Sequence, residues 1–270
     1  MTERIWLILG LGYSATRLAR HLSDRGVRVI GVRRQALDDV LAFTDPTIPG
    51  LIERVDVVLS SVPPDPSHGR DPVLDRFADP LATTRARLVY LSSTGVYGDA
   101  GGAVVDETAP IGHGRRTARA VADRAWLDLG ALVVRLPGIY GPGRSALDQV
   151  RAGTARRIDR PGHRFNRIHV DDIAGGVIAL VEAGAVGPFN LVDEWPAEPR
   201  AVTEEACRLL GAPLPPLEPF DPATLSPAAQ GFWAERRIVA GTKLARATGY
   251  RLRHPDYKAG LRAILEEEGR

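Results

Sequence analysis

Three short stretches of this chain gather residue types that do chemistry on phosphates and oxygens. The first is Gly10-Leu11-Gly12-Tyr13-Ser14-Ala15. Two glycines at that spacing let backbone N–H groups approach an anion, and a helix beginning there aims its positive end at the same point. The second is the hydroxyl run Ser92-Ser93-Thr94, which can hydrogen-bond a reacting oxygen or simply cap the following turn. The third is Arg33-Arg34. A guanidinium cannot accept a hydrogen bond from a ribose hydroxyl, but it pairs bidentately with a phosphate. The pair therefore predicts NADP, with NAD the less favoured coenzyme. A solvated arginine pair, with Asp38 or Asp39 turned back to the ribose, is the other reading of the same residues.

The surrounding elements must deliver these groups. Ile5–Leu9 is a short apolar run that ends directly on the first glycine. After the turn, Ala15, Leu18, Ala19 and Leu22 recur at helical spacing, and Gly26 stands where a helix would stop. Val27–Val32 reads as a second strand. This strand–turn–helix–strand order separates a dinucleotide fingerprint from a glycine-rich turn that only lets a helix pack on a sheet. Strand-like runs continue at Leu41–Thr44, Val55–Val62, Leu88–Ser93 and Leu132–Leu136, alternating with helical stretches such as Ala118–Leu129. The pattern predicts an α/β fold with a doubly wound parallel sheet of Rossmann type. Ligands on such sheets lie beyond the carboxyl ends of the strands. That adds Asp45, Ser61-Val62-Pro63 and Pro137-Gly138-Ile139-Tyr140 to the candidate binding residues.

After Tyr140 the rhythm changes. Asp171 or Asp172 is placed to cap a helix carrying Ile173, Val177, Ile178 and Val181 inward. Pro188–Val192 reads as a strand, Leu210–Phe232 as a proline-rich irregular stretch, and Pro255–Glu268 as a final helix. The expected organisation is a core over residues 1–141 and a small, mostly C-terminal substrate lobe over 142–270. Segments 163–192 and 254–270 return to pack on the core.

Composition narrows the classes. The chain has 35 Lys and Arg against 33 Asp and Glu, and Lys243 and Lys258 are its only lysines. Arginine pairs at Arg33-Arg34, Arg115-Arg116, Arg156-Arg157 and Arg236-Arg237 are scattered, which predicts a solvated surface and no nucleic-acid face. Cys207 is alone, so there is neither a disulfide framework nor a thiolate metal cluster. His163 and His169 lack a carboxylate at ligand spacing, so no metal site is expected. No apolar run is long enough for a bilayer and no signal-peptide pattern is present, which predicts a cytoplasmic protein with no membrane partner. Without a Gly-x-Ser-x-Gly elbow, serine hydrolysis is excluded. A small-molecule substrate and a monomer or homodimer are expected.

Three separated motifs, Tyr90-Leu91-Ser92-Ser93-Thr94-Gly95-Val96-Tyr97-Gly98, Arg135-Leu136-Pro137-Gly138-Ile139-Tyr140-Gly141 and Asn166-Arg167-Ile168-His169-Val170-Asp171-Asp172, resemble the extended short-chain dehydrogenase/reductases, the NAD-dependent epimerase/dehydratase family. The resemblance implies that Gly10, Leu11, Gly12, Tyr13 and Ser14 cradle a pyrophosphate and that Asp45 meets the adenine. It also implies that Ser93 hydrogen-bonds the reacting oxygen and that Pro137–Tyr140 lies beside the nicotinamide. The glycine loop departs from the family's usual GxxGxxG, and the Tyr-x-x-x-Lys pair is missing. Val239 stands four before Lys243, and His254 four before Lys258. Aligning Asp123 with the acid that follows the family motif puts Arg115 and Arg119 at the two positions. Arg119 can hold a ribose hydroxyl but cannot exchange protons near neutral pH. Ser93, Tyr140 and His113 are the catalytic candidates, with Tyr97 a further proton donor, and Arg144 and Arg167 are placed to meet an anionic substrate group. Two functions follow as expectations: an NADP(H)-dependent oxidoreductase or epimerase-like enzyme on a small carbonyl or hydroxyl compound, or a catalytically silent NADP(H)-binding redox sensor.

Overall fold

Alternation along the first strand sets the two faces of the core. In a computed structural model, which describes residues 4–115 and 117–269 and so leaves Arg116 outside, β1 (Ile5–Leu9) turns Trp6 and Ile8 to one side and Leu7 and Leu9 to the other. It is joined by β2 (Arg28–Arg33), β3 (Leu41–Ala42), β4 (Val57–Ser60), β5 (Arg87–Ser93), β6 (Leu132–Leu136) and β7 (Gly187–Asn190). The seven strands are all parallel, in the order β3-β2-β1-β4-β5-β6-β7. This is the doubly wound sheet expected. Chain order reverses between β1 and β4, where Leu9 lies opposite both Val32 and Ser60. Such a switch point opens a crevice at the strand ends.

On the Trp6 face lies α1 (Tyr13–Ser23), inserting Ala15, Leu18 and Leu22. The Leu7 face is covered by α2 (Ile48–Ile52), α3 (Pro72–Thr83) and α4 (Thr117–Asp128). Trp126 of α4 is fully buried, stacks on Tyr90 at 5.3 Å and donates its indole N–H to Asp71 at 2.9 Å. Burial of one such side chain contributes about 1.5–3 kcal/mol, which anchors α4 against β5 and fixes the residues one turn earlier.

The rest of the chain adds α5 (Ala146–Arg151), α6 (Val170–Glu182), α7 (Pro199–Leu210), α8 (Pro227–Ala234), α9 (Thr242–Thr248) and α10 (Tyr257–Glu268). Helix α6 returns to the Trp6 face beside α1. The apolar side of α10, with Leu261 and Ile264, instead joins Leu147 of α5 and Val202 and Ala206 of α7 in a separate hydrophobic cluster. It reaches the core through Glu267, which pairs with Arg17. The proline-rich stretch is less irregular than its composition suggests: it holds a strand, Leu217–Pro219, paired with Arg157–Asp159, and most of α8.

Neither aspartate caps α6. His169 does so, its Nδ1 accepting the Asp171 N–H at 3.3 Å. Asp171 is drawn to Arg17 and His21 of α1. Asp172 is fully buried and accepts the backbone N–H groups of Arg253 and His254, at 2.6 and 2.9 Å, and the Tyr250 hydroxyl at 3.0 Å. Asp171 thus ties α6 to α1 and Asp172 clamps later chain to α6, demands invisible to a local capping rule.

Candidate functional site

The glycine turn is shaped by close approach. Gly10 has φ +91°, and its N–H and that of Leu11 both donate to the Val32 carbonyl, at 3.0 and 2.8 Å. A Cβ on Gly10 would lie 2.8 Å from Val62 Cγ2 and 3.0 Å from Ser61 Oγ, so any side chain would push the β4 exit away. Helix α1 starts at Tyr13 with Gly12 as its N-cap and no side chain capping it. Its first-turn N–H groups are thus left for an anion. Beyond the turn opens a cavity of about 910 Å³ lined by Gly10, Leu11, Gly12, Arg33, Arg34 and Val62, with Ser61 and Pro63 beside them and Leu37 and Phe43 further out. These residues could hold the pyrophosphate and adenosine of a dinucleotide.

Three predicted residues stand apart from it. Asp45 is not on the cavity wall, and its carboxylate accepts the Thr47 N–H at 2.9 Å, closing a local turn. Apolar Leu37 and Phe43 occupy the wall instead. Ser14 lies on α1 but does not line the cavity. Tyr13 bridges outward: its hydroxyl donates to the Pro142 carbonyl at 3.0 Å, and Arg144 sits 5.6 Å from its ring centre.

A second cavity, about 310 Å³, lies at the ends of β5 and β6. Ser93 closes β5 and accepts the Gly95 N–H at 3.1 Å, which fixes the side chain and leaves its hydroxyl proton free to donate. Ser92 also reaches this wall, but its hydroxyl is spent on Asp123 at 2.6 Å. Asp123 is fully buried and takes two bonds from Arg135, at 2.8 and 3.1 Å, tying α4 to β6. One turn earlier on α4, Arg119 lines the cavity, making only long contacts to the Tyr90 hydroxyl and Leu91 carbonyl, at 3.4 and 3.5 Å. Pro137, Gly138 and Ile139 form the opposite wall, with Arg144 at its end.

Three lining residues escaped the sequence reading as a group: Arg115, Glu235 and Arg237. Glu235, buried, accepts the Arg115 N–H at 3.0 Å and the Arg237 guanidinium at 3.0 Å, with the Arg115 guanidinium 3.7 Å away. It joins the loop before α4 to the C-terminal lobe. The one available signal was charge alternation in Glu235-Arg236-Arg237; nothing in it points to a partner 120 residues earlier.

Several candidates are not brought to either cavity. Tyr140 is buried against α10, its hydroxyl donating to the Asp256 carbonyl at 3.2 Å. Burial, with Asp193, Asp172 and Asp256 near, pushes its pKa far above the phenol range. Tyr97 is buried between Arg135 and Asn190, at 2.9 and 2.7 Å, and burial raises its pKa too. His113 is exposed on its loop and lines neither cavity. Arg167 spends its guanidinium on the carbonyls of Phe165 and Ala197, both at 3.0 Å. Backbone carbonyls claim the Tyr140 and Arg167 side chains before a ligand can, and the Asn190 and Arg135 side chains claim Tyr97. His169, Asp171 and His254 do bring three side chains able to ligate a metal within 4.8 Å, a grouping the expectation of no metal site missed, although Arg17 and His21 already hold the Asp171 carboxylate. Among the described residues no helix is long and apolar enough to cross a membrane.

No protein-family model matches the chain. Among curated proteins it is similar to a 3-diazoavenalumate denitrifying reductase from a Streptomyces species, 30% identical over 65% of this chain and 64% of that protein's length. Protein YeeZ of Escherichia coli K12 is 26% identical over 92% of this chain and 96% of its own. Among solved structures, a functionally unknown conserved protein from Silicibacter pomeroyi is 36% identical with TM-score 0.87, covering 98% of this chain and 99% of that one. More distant structures share the fold: MoeE5 with UDP-glucose and NAD, at 17% identity, TM-score 0.76 and 98% of both chains, and a human epimerase family protein with NADPH, at 19% identity, TM-score 0.77, 97% of this chain and 99% of that one. MoeE5 overturns the preference for NADP read from Arg33-Arg34, since NAD is bound on the same fold. The physical reason lies in Arg33, whose Nε donates to the Leu11 carbonyl at 2.9 Å and steadies the glycine turn.

Proposed function

We propose that this chain, which belongs to the family of the functionally unknown Silicibacter pomeroyi protein and shares the fold of epimerase/dehydratase-type structures, is an NAD(P)(H)-dependent oxidoreductase acting on a small carbonyl or hydroxyl compound. One observation carries the reading: two cavities at the carboxyl ends of one parallel sheet, the first at an uncapped helix start, the second beside a free serine hydroxyl. The coenzyme, when bound, supplies or accepts a hydride. Gly10, Gly12 and the start of α1 hold its phosphates, and Pro137–Ile139 form the wall beside its ring. Ser93 donates to the reacting oxygen. The guanidiniums around it favour negative charge growing there, a preorganised field that needs no proton from a phenol. No tyrosine, histidine or lysine is among the described lining residues, and Glu235 is held between Arg115 and Arg237, so the proton that completes a reduction comes from solvent.

The test is to mix the protein with NADH or NADPH and a panel of sugars, quinones, aldehydes and keto acids while following nicotinamide absorbance. Oxidation with at least one compound is expected, and Ser93→Ala should lower turnover on the order of 10²–10³ with coenzyme affinity kept. A flat trace across the panel, alongside tight coenzyme binding, favours the second reading, a silent coenzyme-binding sensor, which the missing proton-transfer residue supports.

A further inference from the structure

The walls of the smaller cavity carry four guanidiniums, from Arg115, Arg119, Arg144 and Arg237, and one carboxylate, Glu235. Glu235 is shared by Arg115 and Arg237. Arg119 and Arg144 have no carboxylate within 4.0 Å among the described residues: Arg119 makes two long contacts to neutral oxygens, and Arg144 lies over the Tyr13 ring. Positive charge of this density on the wall of a cleft draws in anions and raises their local concentration. The cavity is also small. At about 310 Å³ it sits at the lower end of the roughly 300–1,000 Å³ of ligand sites, with part of that space wanted by the nicotinamide.

We infer that this cavity takes a compact substrate carrying its own oxyanion, a carboxylate or phosphate close to the reacting carbonyl or hydroxyl, and that Arg144 and Arg119 receive that oxyanion. The inference rests on the reading of this cavity as the place of hydride transfer. Arg144 comes from the turn after the Pro137–Ile139 wall and Arg119 from α4, so the two approach from opposite sides of the sheet's end. Ser93 lines the same cavity, and its hydroxyl proton remains free for the reacting oxygen.

Ligand-observed NMR titration tests this on the full chain, with and without coenzyme. The probes are matched pairs: 2-ketobutyrate against 2-ketobutyramide, and dihydroxyacetone phosphate against dihydroxyacetone. The charged member of at least one pair should bind about tenfold or more tighter, the usual effect of a hydrogen bond to a charged group. Which pair discriminates separates carboxylate from phosphate. Arg144→Gln should erase most of that preference and leave coenzyme affinity within about twofold, Arg119→Gln should lower the same preference, and Arg144→Lys should retain part of it. Equal binding within both pairs overturns the inference. So does a preference that survives both glutamine variants, or a variant that weakens coenzyme alone. A charged-member preference in a protein that binds no coenzyme upholds the anion site and sinks the dinucleotide reading instead.

Discussion

The two cavities are built in opposite ways. The larger one is assembled by residues between Gly10 and Phe43, the exit of β4 and the start of α3, early chain around neighbouring strands of a parallel sheet. The smaller one draws on the end of β5, the loop before α4, the turn after β6 and the C-terminal lobe. One is built wholly from the first 72 residues; the other needs Glu235, Arg237 and Val239 from late in the chain. The difference explains why backbone geometry dominates the first and side-chain charge the second.

The sharpest way to break this division is Gly10→Val. At φ +91°, with Val62 Cγ2 only 2.8 Å from the position of a Cβ, the substitution adds about 1–3 kcal/mol of backbone strain to a collision at the phosphate cradle. Coenzyme affinity should fall on the order of 10³ by calorimetry, while the preference for acidic over neutral ligands in the smaller cavity stays. Loss of both together would show that the halves are not independent. Ser93→Ala comes next and should do the reverse, costing turnover without costing coenzyme affinity.

A smaller effect separates lobe from core through pH. His163 is buried between Phe165 and Trp233, ring centres 4.7 and 5.2 Å away, with neither ring nitrogen partnered. Burial, then Arg160 and Arg236, lowers its pKa from 6.5 to about 4. The unfolded chain therefore binds the extra proton between those values, and stability falls as pH drops through that window. His169 on α6 shifts in the same direction, to about 4, so His163→Leu should remove only the lobe's share of the slope. Urea midpoints at pH 7, 6 and 5 measure it, and an unchanged slope in the variant contradicts the assignment. Smallest of all is Tyr140→Phe. It loses one bond at 3.2 Å, worth about 1 kcal/mol of stability, and should leave turnover within about twofold. A hundredfold loss would return Tyr140 to the reacting centre.

What was legible in the sequence follows the same division. The glycine turn, the parallel order and the Pro137–Ile139 wall could be read because each depends on residues adjacent in the chain and on strand period. Ser93 was singled out by the resemblance that Tyr90–Gly98 carries, and it lines the smaller cavity at the end of β5. Asp171 and Asp172 were misread as caps because the partners that claim them, Arg17 and the backbone of Arg253 and His254, are far along the chain. Tyr140 and Arg167 sit beside the cleft in sequence yet turn inward, since α10 and the Phe165 and Ala197 carbonyls offer them partners first. Arg115 and Arg237 became visible as one site only through Glu235 between them.

Calorimetric titration of ligand-free protein with NADH and with NADPH tests the central claim most directly. A single site for at least one of the two, abolished in Gly10→Val, is the predicted result. No heat with either coenzyme, from protein whose far-ultraviolet circular dichroism shows it folded, would contradict the account.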